Sequence, residues 1–483
     1  MNKKTIIWLA AILVLALLLR LVFFSGIGGS DDLLYTSYAY QLSKGDFSFP
    51  ATHHGTRLGI LYPTSFLYSI FGVNDFSSNF FVFASSIAGI VLVFYFGKVF
   101  FNEKTGLIAA FLLSFFPLDV IFATKLLPDL PSAFFLSLGV LFFLLAEKKE
   151  NFKPKIYYSI SGLSIGIAYI IRESALLVLL FFIVYVLFYR KFKSEYFLIF
   201  AGFMVFFIAE SFVFLIKTGD FLYRFHSLSS YYPTVVEIDA FFGRGSFPFS
   251  LLHFPYIMFT SIQFGIFYPF ILIAAVYCIG IKNKKTYSFI IWFLVLLLYL
   301  MFGTVSLTRY LPFAAIPRYL MVVTFPSIIL LAVFLASNNF LIKKILLPSV
   351  LAILLITSIG FIYLEKGKQG IDNSREMHAQ IESLDKPVYT DFRSKLILEY
   401  LSGYTNKNIK EFIHLEGSKT IRDIDLVSVK NSYIWVDHKV MKNLLEPHPY
   451  IEFPKEVYNQ PKNWIVVKKI NNEDGDGILY YAP

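Results

Sequence analysis

Long apolar runs separated by short polar breaks dominate the chain up to residue 364. A helix needs about 20 apolar residues to cross a hydrocarbon core of roughly 30 Å. Eleven such runs follow one another, at approximately 5–24, 76–97, 105–124, 131–147, 156–171, 174–189, 196–216, 258–281, 286–303, 318–337 and 344–363. Beyond residue 364 the pattern changes, and PVYTDFRSKLILEYLSGY and WIVVKKI read as strands alternating with a helix. The expected fold is a polytopic α-helical membrane protein with a body over 1–364 and a small α/β domain over 365–483. Two long loops, 25–75 and 217–257, interrupt the body.

Composition sharpens this division. Of 483 residues, 57% are hydrophobic and 16% charged, too apolar for a soluble protein of two or three domains and too ordered in pattern for a fibrous or disordered chain. Residues 1–364 carry 41 charged residues and 365–483 carry 35, about 11% against 29%. The net charge of +10 comes from the body, with 26 basic and 15 acidic residues against 17 and 18 in the tail, so it reports on membrane topology and not on nucleic acid. A single cysteine, Cys278, excludes an intrachain disulfide. The first run follows Asn2, Lys3 and Lys4 like a signal peptide, but its length and the lack of a small-residue cleavage pattern predict a retained helix.

Orientation follows from the loops. With the N-terminus inside, the cytoplasmic segments hold sixteen basic residues against four acidic ones, and the outer segments of the body hold nine against ten. The positive-inside bias predicts a cytoplasmic N-terminus, an extracytoplasmic tail and a multi-pass protein of the cell (plasma) membrane. Almost every residue capable of chemistry then faces outward.

Four outer segments concentrate these residues. Asp31 and Asp32 open a stretch with Leu34, Tyr35, Tyr38 and Leu42 at helical spacing, an interfacial amphipathic helix. Acidic first-turn residues favour a helix start whatever the protein does, so capping competes with catalysis here. The segment continues with His53, His54, Arg57 and Pro63, where the histidines read as loop and a lone His-His pair makes no metal site. In FPLDVIFATKLLPDLPS, Pro128 and Pro131 bracket Asp129 on a stiff turn, with Asp119 and Lys125 nearby. Arg172 and Glu173 stand between two closely spaced spans at the membrane boundary, where a structural pair competes with a functional one. GTVSLTRYLPFAAIPRY carries Arg309 and Arg318, suited to bidentate phosphate recognition, with snorkelling to head groups as the plain reading. Glu210 is the one acidic residue well inside a span. The chain has no GxGxxG, GxxxxGK[ST], HExxH or GxSxG motif, and no evident repeat of spans.

Taken together, these residues resemble the GT-C glycosyltransferases, in the branch of protein O-mannosyltransferases and aminoarabinose transferases (PMT/ArnT-like). The resemblance rests on Arg20 near the end of the first span, Asp31-Asp32 with Tyr35 and Ala39, LPDLPS around Asp129, GLSIGIAYIIRES with Arg172-Glu173, and RYLPFAAIPRYL. It covers most of residues 1–335. The chain departs from the branch in having Asp31-Asp32 where an Asp-Glu pair is usual, and RLGILYPTSFLYSIFG in place of the proline-rich acceptor-side pattern.

The resemblance implies a GT-C fold and an inverting transfer of one sugar from a polyprenyl phosphate, such as dolichyl phosphate, to a protein, lipid or glycan acceptor at the outer membrane face. Asp31, Asp32 and Asp129 are the catalytic candidates, since a carboxylate can take the acceptor's proton. Arg57, Lys125, Arg172, Arg309 and Arg318 are candidates for the donor phosphate, with Glu173 and Glu210 as further candidates. No cofactor is certain; magnesium or manganese on Asp31 and Asp129 is compatible with hard oxygen ligands. The expected partners are the lipid-linked donor, membrane lipids and the acceptor, and Asp129 is expected to share one outer cavity with Asp31-Asp32. The aromatic loop from Phe221 to Tyr256 reads as a lid over the lipid tail. The rival function is a transporter or flippase of a lipid-linked sugar, which would place its ionisable groups along a mid-membrane path.

Overall fold

The structure is a computed structural model; it describes residues 2–148, 153–230, 249–304, 310, 312, 313, 315–337, 347–366, 371–412, 429–442, 463–473 and 475–483. The chain divides into a helical unit (Met1–Ser25, Ser48–Pro63, Asn79–Gly367) and an α/β unit (Gly26–Phe47, Thr64–Ser78, Lys368–Pro483).

The helices are α1 (Lys3–Val22), α2 (Asp31–Lys44), α3 (His53–Thr56), α4 (Leu58–Phe71), α5 (Asp75–Phe100), α6 (Glu103–Ser114), α7 (Pro117–Phe122), α8 (Asp129–Ala146), α9 (Pro154–Ile171), α10 (Val178–Tyr189), α11 (Phe197–Thr218) and α12 (223–230). They continue with α13 (His253–Thr260), α14 (Phe267–Gly280), α15 (Lys284–Phe302), α16 (Met321–Leu335), α17 (Leu347–Lys366), α18 (Asp372–Glu382), α19 (Phe392–Leu401) and α20 (His438–Lys442). Seven of the described helical stretches are long and apolar enough to cross a membrane, and shorter apolar helices at Leu58–Phe71, Glu173–Tyr189 and Phe267–Gly280 accompany them.

Two runs read as single spans are broken. The run 105–124 divides into α6 and α7, where Pro117 starts a new helix at a position that needs no N–H partner. The run 258–281 divides into α13 and α14 around Gly265, whose φ of +56° no L side chain adopts readily. Conversely, Leu58–Phe71 is a helix with Pro63 inside it, and His53 and His54 stand on a single helical turn capped by Thr52, not on a loop.

Asparagine ends the polar breaks: Asn2, Asn102 and Asn283 accept from the N–H groups of Thr5, Thr105 and Lys285 and start α1, α6 and α15. Within the helical unit α16 is the central helix, buried along almost its whole length and packed on α6, α8, α14 and α15. Small residues set the closest crossings. A Cβ on Gly139 would stand 2.7 Å from Ile165, and one on Gly202 would meet the Ser159 carbonyl at 2.6 Å, so α8, α9 and α11 approach backbone to backbone.

The α/β unit carries a five-stranded sheet from β1 (Val388–Thr390), β2 (Ile409–Glu411), β3 (Ser432–Asp437), β4 (Ile465–Ile470) and β5 (Gly477–Ala482) in the order β2-β1-β3-β5-β4. The first three are parallel, β1 and β2 being joined through α19, and β5 pairs antiparallel with β3 and β4. Met377, Ile381, Val388, Leu398, Trp435 and Leu479 form the core between the sheet and α18 and α19.

Candidate active site

Gly59 brings the main polar cluster of the helical unit together. A Cβ there would stand 2.6 Å from the Ile171 backbone N, so the start of α4 lies against the last turn of α9. Arg57, just before α4, and Glu173, just after α9, are thereby neighbours across 116 positions. Arg57 Nη2 donates to Glu173 Oε1 at 2.7 Å and Nε to Oε2 at 3.2 Å, a two-pronged charge-assisted pair. Both are well buried.

Arg172 holds an extended backbone between α9 and the 3-10 turn of Glu173–Leu177. Its guanidinium lies against Asp129, the first residue of α8, and over the Tyr319 ring at 4.5 Å. Tyr319 belongs to the 3-10 turn Pro317–Leu320 that also carries Arg318, and Arg57, Glu173 and Arg318 all lie within electrostatic reach of Arg172. Sequence reasoning missed Arg224. From α12 it reaches back to donate to the carbonyls of Tyr169 (2.6 Å), Thr56 (2.9 Å) and Ile170 (3.1 Å), lies over the Tyr169 ring at 4.6 Å and stands 3.4 Å from Glu210. One arginine in a loop rich in aromatics gives no signal in sequence.

Among the described residues, four guanidiniums, Arg57, Arg172, Arg224 and Arg318, thus gather with three carboxylates, Asp129, Glu173 and Glu210. Nε of Arg172 and Nε of Arg224 are buried without a hydrogen-bond acceptor among the described residues. Buried donors of this kind are costly to leave unmade, and a phosphate oxygen satisfies them. Lys125 makes no ion pair among the described residues; its ammonium lies over the Phe122 ring at 5.5 Å. Arg309 and most of the aromatic loop, residues 231–248, lie outside the described residues.

A second buried pair is separate in role. Arg20, fully buried, donates to Ser86 Oγ (2.7 Å), the carbonyls of Ala16 (3.1 Å) and Ser114 (2.9 Å) and Asp119 Oδ1 (2.5 Å). These contacts tie α1 to α5, α6 and α7.

In the α/β unit Asp31 and Asp32 open α2, as the spacing predicts. Asp32 is buried, with Oδ1 accepting from the N–H of Ser30 (2.6 Å) and Leu33 (3.0 Å) and Oδ2 from that of Gly28 (2.5 Å). Its carboxylate is therefore wrapped by the turn that starts the helix, whereas Asp31 is partly exposed. Asp75 accepts from Tyr400 Oη at 2.7 Å and Arg375 Nη2 at 2.8 Å, joining the start of α5 to α18 and α19.

Residues 58–214 match the family described as dolichyl-phosphate-mannose-protein mannosyltransferase. The fold is shared with ArnT from Cupriavidus metallidurans: its apo crystal structure matches with a TM-score of 0.68 and 13% identity, over 100% of each chain. The crystal structure of that protein bound to undecaprenyl phosphate matches with a TM-score of 0.63 and 13% identity, over 99% of each chain. The apo oligosaccharyltransferase of Archaeoglobus fulgidus matches with a TM-score of 0.55 and 12% identity, over 91% of this chain and 71% of that one. No curated protein matches the chain. At these identities the fold is what is shared, and with the family match it bears out the PMT/ArnT-like GT-C resemblance read from the sequence.

Proposed function

We propose that this protein is an integral membrane glycosyltransferase that moves a sugar, with inversion, from a polyprenyl-phosphate donor to a protein, lipid or glycan acceptor at the outer membrane face. The arginine cluster carries this reading: three buried guanidiniums, Arg57, Arg172 and Arg224, with the partly buried Arg318 beside Arg172, and two Nε–H groups without an acceptor among the described residues match a lipid phosphate. The mannosyltransferase family match and the ArnT fold support the donor class.

The acceptor hydroxyl or amine attacks the anomeric carbon opposite the phosphate, a new bond to that carbon forms, and the carbon–oxygen bond to phosphate breaks. The electron pair leaves with the polyprenyl phosphate, whose growing charge the arginines and Lys125 stabilise. The acceptor proton goes to a carboxylate, and we assign that role to Asp31, since Asp32 is engaged by three backbone N–H groups. Asp129 and Glu173 orient Arg172 and Arg57. Asp129 already carries an arginine as counter-charge, so it fits poorly as a metal ligand. Glu210, the mid-membrane carboxylate that suits a flippase, is paired with Arg224.

The test supplies purified protein with dolichyl-phosphate mannose or undecaprenyl-phosphate sugars, a membrane extract as acceptor source, and a chromatographic assay for released polyprenyl phosphate. Release from wild type but not from Arg172→Met supports the reading. No release with any donor, together with donor movement across reconstituted vesicles, overturns it.

A further inference from the structure

Tyr223 takes no part in the chemistry assigned above, yet it is tied to the segment that delivers Arg57. Residues 49–57 follow a tight path. The Thr52 N–H donates to the Pro50 carbonyl at 2.7 Å, Thr52 caps α3, and a Cβ on Gly55 would stand 2.5 Å from the Pro50 carbonyl oxygen. At the start of the path the buried Phe49 has φ +53°, in the left-handed region that a bulky side chain rarely adopts, although Pro50 after it favours extended backbone. Conformations of this kind persist only where the surroundings hold them, and they gather at ligand sites.

α12 holds this segment at both ends. Tyr223 Oη donates to the Phe49 carbonyl at 2.5 Å, and Arg224, the next residue, donates to the Thr56 carbonyl at 2.9 Å. The Tyr223 and Phe49 rings both lie against Phe214 of α11, at 5.4 and 6.0 Å, so packing aims the hydroxyl. Arg224 also takes the carbonyls of Tyr169 and Ile170, which the last turn of α9 leaves without helical partners and for which that turn has no basic residue of its own. Arg57 therefore leaves the backbone one residue after an anchored carbonyl, beside the end of α9 that leads into Arg172.

We propose that Tyr223 is a positioning residue for the donor phosphate: with Arg224 it clasps residues 49–57 from both ends, so that Arg57 is presented to the phosphate beside Arg172. The inference rests on the proposed phosphate site, and it gives the start of the outer loop a part in building that site.

The test compares wild type, Tyr223→Phe, Arg57→Met and the double variant in the full chain. It reads the dissociation constants of dolichyl phosphate and undecaprenyl phosphate, kcat from polyprenyl-phosphate release, and thermal unfolding in detergent. Tyr223→Phe keeps the ring and removes one hydrogen bond, so it is expected to weaken the tighter-binding lipid phosphate about 3- to 10-fold, with kcat within about twofold and little change in melting temperature. Because the hydroxyl acts through Arg57, the same change should cost less than about twofold in the Arg57→Met background. If Arg57→Met does not fold, Arg57→Gln serves as the background. Full additivity of the two changes, unchanged binding in Tyr223→Phe, or a loss confined to kcat each overturn the proposal. A Tyr223→Phe chain that does not fold makes the hydroxyl a structural group and overturns it as well. Wild type that binds neither lipid removes the proposed phosphate site, whereas wild-type binding with an indifferent Tyr223→Phe removes this proposal alone.

Discussion

Arg224 stands 3.4 Å from Glu210 while donating to three main-chain carbonyls, those of Tyr169, Thr56 and Ile170. The pair joins α12 to α9 and α11 beside the Arg57–Glu173 pair, so its strength bears on the geometry of the whole cluster.

Removing either partner therefore has unequal effects. Arg224→Met orphans three carbonyls and leaves Glu210 buried without its counter-charge, for a loss on the order of 3 kcal/mol or more. Glu210→Gln leaves Arg224 its carbonyl acceptors and should cost clearly less. Thermal unfolding in detergent checks the order; a Glu210→Gln melting temperature below that of Arg224→Met would contradict it.

The architecture was legible in sequence to the extent that it depends on local pattern. Apolar runs gave the spans and the strand–helix alternation gave the tail, with β1 and α19 inside PVYTDFRSKLILEYLSGY. The breaks at Pro117 and Gly265 were hidden because apolar content continues through them. Site residues divide in the same way: Asp31, Asp32 and Asp129 stand at helix starts, where local rules place them, whereas the pairing of Arg57 with Glu173 depends on a close approach of Gly59 to Ile171 that no local pattern encodes.

Asparagine variants separate the two aspartates of α2. Asp31→Asn keeps shape while removing the base, so transfer should fall by about 10²- to 10⁴-fold with little change in melting temperature. Asp32→Asn replaces a carboxylate that uses both oxygens as acceptors with a group that has one, and should also lose about 1–3 kcal/mol of stability. Wild-type sugar release from Asp31→Asn would remove the catalytic assignment.

Arg57 engages Glu173 through two nitrogens, and lysine cannot reproduce that fork. Arg57→Lys and Arg318→Lys are expected to lower transfer by tenfold or more if each shapes the phosphate site, with an increase in donor KM as the signature. An unchanged donor KM assigns Arg318 to lipid head groups and Arg57 to a structural pair with Glu173.

Topology is open to a direct test, because Cys278 is the chain's one cysteine and is buried. In a Cys278→Ala background, a cysteine at Asn431 should react with a membrane-impermeant maleimide in intact cells, and one at Lys282 only after permeabilisation. The reverse pattern would overturn the proposed orientation and move the whole site to the other face.

Asp437 makes the tail's stability depend on pH. It is fully buried and accepts from Asn373 Nδ2 (2.9 Å), Ser374 Oγ (3.1 Å) and the N–H groups of Lys439 (3.1 Å) and Val440 (3.3 Å). Burial outweighs those donors and pushes its carboxyl from 3.8 up to about 6, with Asp391 adding to the rise. Because the folded value lies above the unfolded one, the protonated form is favoured by folding. The associated stability is complete below about pH 4 and is lost as pH rises through 6, a change on the order of 2 kcal/mol. Asp437→Asn cannot titrate, so it should flatten this part of the profile even where it lowers the baseline. Hydrogen exchange of the β3 amides in the full chain, corrected for intrinsic rates, should show protection falling between pH 4.5 and 7.5 in wild type and level in the variant; the same slope in both would assign the effect to another group.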